Sequence, residues 1–159
     1  MNKRALIQKI VAQLTSELGI YFRAAQNSRA EATHEQSKAD NKYDTRGMEA
    51  SYLARGQSKQ AAELEGAIAE FKKLEVREFA GGDGIDLGAL VDLEVAGERT
   101  LYFIGPRAGG TEVQFDQREV TVITPQSPLG AQLLGKTQGE RPALVFAGRK
   151  QPGRILSVC

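Results

Sequence analysis

Residues able to carry chemistry are few in this chain, and several lie in one polar stretch. Asp40, Asn41, Tyr43 and Asp44 fall within residues 26–47, a run almost without large apolar side chains. Asp-Asn and Asp-Thr pairs suit turns and helix N-caps, because their short oxygens bond nearby backbone N–H groups. One or two exposed carboxylates on a turn make no cage for Mg²⁺, so weak binding by the free chain is expected. Tyr43 stands between two acids with no core to join, so it packs back on its own turn or meets a partner. The single His34 reads as an exposed polar residue and, with the single Cys159, cannot build a zinc site within one chain. One cysteine also excludes an intrachain disulfide and fits a reducing compartment. Further along, Arg149, Lys150 and Arg154 flank Gln151-Pro152-Gly153, which reads as a turn presenting positive charge to solvent, to RNA or to an acidic surface. Gly109-Gly110 is no phosphate loop, since no Walker-type lysine follows it.

The bulk composition sets the limits. With 159 residues there is room for one ordinary domain or two small ones. Lys and Arg number 21 against 20 Asp and Glu, so no global field recruits nucleic acid and any such contact must be local. No run approaches the ~20 apolar residues that span a bilayer. A cytoplasmic protein with no membrane partner is expected.

The elements that position these residues divide by period. In residues 3–78, which lack proline, Ile7, Val11, Leu14, Leu18, Tyr21 and Ala25 alternate by four and three as in a coiled-coil seam. Leu53, Gln57, Ala61, Leu64, Ile68 and Phe71 repeat the pattern. Two helices, 3–38 and 45–76, are therefore expected to form an antiparallel hairpin over residues 1–78, greasy at the root, with its tip at about 40–46. Lys72, Lys73 and Glu75 read as a solvated helix face. Gly81-Gly82-Asp83-Gly84 reads as a flexible joint opening a second domain, 79–159. Strand composition then recurs at 90–95, 100–104, 112–115, 119–123, 143–146 and 155–158. Pro106-Arg107-Ala108-Gly109-Gly110 reads as a hairpin loop. The expected fold class is α+β, a helical hairpin followed by a small antiparallel sheet curled over one short helix.

That helix lies in Ser127-Pro-Leu-Gly-Ala-Gln-Leu-Leu-Gly-Lys136. Ser127 is placed as N-cap and Pro128 at the first helical position gives up no hydrogen bond. Leu129, Leu133 and Leu134 are expected on one face, and Gly135 can take the left-handed conformation that ends a helix. Lys136 meets the negative end of the helix dipole. The string, with Gly130 inside it and Gly139-Glu140 after it, resembles the C-terminal signature of the bacterial Gre-type transcript cleavage factors. The match covers roughly the last eighty residues.

The resemblance implies a coiled-coil hairpin followed by an FKBP-like domain. It implies that the second domain docks on the core RNA polymerase at the rim of its secondary channel, through Ser127, Pro128, Leu129, Gly130, Leu133, Leu134, Gly135 and Lys136. The hairpin tip would then place acids beside the Mg²⁺ of the polymerase active site, near the 3′ end of the nascent RNA. Asp40 and Asp44 are the candidate acids, with Tyr43, Arg149, Lys150 and Arg154 as candidate RNA or polymerase contacts. In the family the tip reads Asp-x-x-Glu-Asn-Ala-Glu-Tyr. Here Asp40-Asn41 matches its Glu-Asn, or Glu49-Ala50-Ser51-Tyr52 matches its Asn-Ala-Glu-Tyr with Asp44 as the acid ahead. No alignment preserves both family acids at their spacing. The factor would bind no metal or cofactor of its own, act as a monomer and serve the polymerase as an accessory, either promoting cleavage or modulating without it. A prolyl isomerase is the rival that the FKBP likeness raises, though after Phe79 only Tyr102, Phe103, Phe115 and Phe146 are aromatics available to line its pocket.

Overall fold

Asn2 starts the first helix. Its side-chain Oδ1 accepts from the Ala5 N–H at 3.1 Å, a donor that a helix start leaves without an intrahelical partner, and its carbonyl takes the first helical bond, from Leu6 N at 3.1 Å. The computed structural model describes residues 1–38 and 45–159, apart from the side chains of 25, 28–38, 45–55 and 57. In it α1 runs Lys3–Lys38 and α2 runs Thr45–Lys73. The α2 helix stops short of the expected 76, where Leu74 N turns back to the Phe71 carbonyl. Asp40, Tyr43 and Asp44 lie outside the described residues, as do the side chains of His34 and Glu49.

Two compact units emerge, residues 12–68 and residues 1–11 with 69–159. They are cut elsewhere than the change of sequence period near 78, because the roots of both helices belong to the unit that holds the sheet. In the helical unit Leu14 of α1 and Ala61, Ala67 and Ile68 of α2 are buried.

The other unit is an α+β body. Its six strands are β1 Leu90–Val95, β2 Glu98–Ile104, β3 Glu112–Phe115, β4 Arg118–Ile123, β5 Ala143–Phe146 and β6 Arg149–Val158, with α3 at Pro128–Leu133. They form one sheet in the order β3-β4-β2-β1-β6-β5. Two-residue turns with both φ positive join β1–β2 at Ala96-Gly97, β3–β4 at Asp116-Gln117 and β5–β6 at Ala147-Gly148, as the right-handed strand twist prefers. Three expectations are corrected here. The 106–110 loop joins no hairpin, since β2 pairs with β4 in parallel and the sheet is not wholly antiparallel. Gln151-Pro152-Gly153 is strand, with Pro152 opposite Ala143, so the turn lies at Ala147-Gly148 instead. The glycines at 81–84 form a hydrogen-bonded turn, with Asp83 N to the Ala80 carbonyl at 3.0 Å and Ala80 N to Asp83 Oδ2 at 2.8 Å.

Each sheet face has its own core. Val91, Leu93, Ile104, Ile123 and Ile155 pack with Leu133 of α3, Leu144 and Phe79. On the opposite face Leu90, Leu101, Phe103, Val120 and Val122 are buried on the side reached by the helix roots. There Phe71 stacks on Phe103 with ring centroids 6.4 Å apart. Leu6 and Ile10, absent from the seam read in the sequence, are fully buried in this unit. A stripe at 3, 6, 7, 10 and 14 is broader than a two-helix seam needs, and the extra width is what the sheet uses.

Candidate functional site

The Ser127–Glu140 segment is a built corner in which the motif residues each have a structural task. Ser127 Oγ accepts from the Gly130 N–H at 3.0 Å and donates to the Thr124 carbonyl at 2.7 Å. That carbonyl also takes the Ser127 N–H at 3.0 Å, closing the turn through Pro125. Gly130 is required by space, because a Cβ there would fall 1.9 Å from the Thr124 oxygen. Leu133 is fully buried and Leu129 packs at the edge of the same cluster. Leu134 departs from the expected helical face. It is the C-cap, extended at φ −53° and ψ 132°, and its N–H returns to the Gly130 carbonyl.

Gly135 follows with φ 78°, the left-handed cap expected of it. Here the corner is tied to the loop before β1, with Gly135 N to the Ile85 carbonyl at 2.9 Å and Ile85 N to the Lys136 carbonyl at 2.8 Å. Gly84 passes close by, since its Cβ would sit 3.1 Å from Gly135. Glu140 accepts from the Thr137 N–H and hydroxyl, which hold its carboxyl below the usual range despite some opposing desolvation. What this leaves for a partner is narrow. Pro128, Ala131 and Gly135 are exposed, Ser127, Leu129, Leu134 and Lys136 are half-buried, and Gly130 and Leu133 face inward.

Three chain comparisons bear on this arrangement. No protein-family model and no curated protein matches the chain. Among solved structures it is similar to GreA factor homolog 1 (Gfh1) of Thermus thermophilus, at 22% identity over 94% of each chain with a TM-score of 0.38. It is also similar to Gfh1 of Thermus aquaticus, at 23% identity over 92% of each chain with a TM-score of 0.40. A further structure of the transcription factor Gfh1 gives 22% identity and 0.40 over 94% of this chain and 93% of that one. At such values the likeness carries no argument about function, and the α+β assignment stands on the strands and helices described above.

The basic residues are distributed otherwise than a turn would place them. Arg149 pairs with Phe146 at the hairpin end of β6, on the side of Ile155 and the α3 core. Strand alternation puts Lys150 and Arg154 on the opposite face, Arg154 directly across from Glu94. All three are exposed.

Two charged clusters were missed by sequence reading. Asp92, 4% exposed on β1, accepts from Arg99 Nη2 at 2.6 Å and from Arg118 Nη1 at 2.9 Å. Burial pushes its carboxyl upward, but hydrogen bonds from Arg118 and Arg99 outweigh it and hold the group below the usual range. Lys3, 3% exposed, donates to the carbonyls of Arg77 and Gly88. Its ammonium lies 4.8 Å from the centre of the Phe79 ring, which also carries the Arg77 guanidinium at 4.5 Å. Burial lowers the Lys3 pKa, with Glu78 opposing. Asp92 alternates with Val91 and Leu93, the only trace a sequence offers; nothing local marks Lys3. Among the described residues no three His, Cys, Asp or Glu side chains gather as metal ligands would. No helix there is long and apolar enough to cross a membrane.

Proposed function

We propose that the chain is a Gre-like accessory factor that binds core RNA polymerase at its secondary channel. One observation carries the reading: the signature-bearing corner at Ser127–Glu140 stands in the same chain as a pair of helices of 36 and 29 residues. The corner's capping serine, space-limited Gly130 and left-handed Gly135 support the motif as a real structural unit rather than a chance string. In this reading the helices form a coiled-coil hairpin, the sheet unit is FKBP-like and docks on the polymerase, and Asp40 and Asp44 enter the active site. Mg²⁺ there belongs to the polymerase and supplies charge for the attacking and leaving oxygens. The carboxylates of this chain would hold and orient around it, contributing mainly in the transition state. A modulator that occupies the channel without cleaving is the second reading, favoured by the altered spacing of the tip acids.

RNA cleavage in backtracked complexes tests both. With wild type active, Asp40→Asn or Asp44→Asn should lower the rate by at least ~100-fold while affinity for polymerase stays nearly constant. Equal, robust cleavage by all three proteins would sink the tip-acid mechanism. No cleavage by a wild type that still binds polymerase leaves the modulator. Absence of binding to core polymerase ends both readings.

A further inference from the structure

One face of the sheet, beyond the helix roots, carries a row of arginines that crosses four strands. Arg99 on β2 pairs with Glu94 on β1, and Glu94 with Arg154 on β6. Arg118 on β4 joins the row by sharing Asp92 with Arg99. Beyond β6 the pairing continues, with Gly153 N bonded to the Pro142 carbonyl and Ile155 N to that of Glu140, so Arg141 stands across from Arg154. Glu94, Arg141, Pro152 and Arg154 line a cleft of about 310 Å³ with the Ala96-Gly97 turn. Lys150 lies on the same face further along β6. At about 4.8 Å per strand the row spans about 19 Å.

Cations outnumber acids on this face, while the whole chain is nearly neutral at +1. Asp92 fixes the Arg99 and Arg118 guanidinium groups, so less side-chain freedom is lost when they meet a partner. Among the described residues no carboxylate forms a salt bridge with Arg141, Lys150 or Arg154, although Glu94 is the strand neighbour of Arg154.

We infer that this arginine row is a docking face for a protein surface rich in carboxylates. A nucleic acid is the poorer fit on charge pattern. Its phosphates repeat one sign without interruption, whereas Glu94 sits mid-row and would face a phosphate. A folded partner can set carboxylates against the arginines and a donor against Glu94, and arginine is enriched at such interfaces. The inference does not depend on the polymerase reading.

The test uses the full ¹⁵N-labelled chain titrated with a short synthetic Glu-rich peptide carrying one central Lys. A parallel titration uses a single-stranded oligonucleotide of the same net charge. Peptide-induced amide shifts are expected to gather at Glu94, Arg99, Arg118, Arg141, Lys150 and Arg154. The double variant Arg141→Gln/Arg154→Gln, which removes both charges without setting new acids opposite Glu94, should weaken the peptide by about tenfold or more with the fold retained, because both side chains are exposed. Shifts that are absent or lie elsewhere, unchanged affinity in the double variant, or tighter binding of the oligonucleotide to these residues would each overturn it.

Discussion

Asp92 is the residue on which the sheet's outer charges turn. Replacing it with Asn leaves two guanidinium groups to share one neutral acceptor oxygen, with an NH2 donor where the second oxygen stood, and charged hydrogen bonds of this kind are worth about 1.5–3 kcal/mol. Asp92→Asn should lower urea stability at pH 7 by about that range. The sign of the pH dependence follows from its depressed folded pKa. Its contribution is fully present above the ordinary carboxylate value of about 3.9 and is lost as the pH falls through the lower folded value. Wild type and Asp92→Asn should therefore converge in stability on acidification, and parallel curves down to strongly acid pH would contradict this. Gly130 tests space rather than charge. An alanine in mid-helix ordinarily stabilises, but here its methyl meets the Thr124 oxygen, so Gly130→Ala should destabilise by about 1–3 kcal/mol or more.

At the scale of elements, α3 holds through its cap and its edge contact. Ser127→Ala removes both bonds of the hydroxyl and should lower stability by about 1 kcal/mol, read from the urea midpoint at constant slope. The Gln132 amide donates to the Val145 carbonyl at 3.1 Å and accepts its N–H at 2.7 Å, standing in for a strand beside β5. At the other edge Lys9 donates to the Gln114 carbonyl of β3 at 2.7 Å. Bare edges invite pairing with other chains. Gln132→Ala should therefore self-associate with rising concentration, seen by light scattering. Much of this layer was legible beforehand: the start of α2 at Thr45, the cores of the strands and the capped helix all follow from local patterns. The turn at Ala147-Gly148 was not, because alanine gives no sign of the positive φ it adopts, while Pro152 looks like a breaker but lies at an edge pairing. The parallel β2–β4 contact depends on strands separated by β3, which no local pattern encodes. Asp92 was hidden because its partners come from two other strands.

At the scale of the whole molecule, the sheet unit takes in both helix roots. A fragment starting at residue 79 would bare the face on which Phe71 stacks against Phe103, together with the side buried alongside Leu6 and Ile10. Such a fragment should bind hydrophobic dyes and melt without a sharp transition. A chain in which a flexible linker replaces residues 12–68 should melt cooperatively, and the opposite ranking would refute the division into units. The ladder in the middle of the sheet has a further consequence. Leu90 and Cys159 exchange backbone hydrogen bonds at 2.9 and 3.0 Å, and Val91 faces Val158. On the ribosome β1 emerges well before the strand it must lie against. The helices of residues 12–68 can assemble while synthesis continues, but the central pairing must wait for β6, so the sheet unit matures after the helical one and spends the interval open to chaperones.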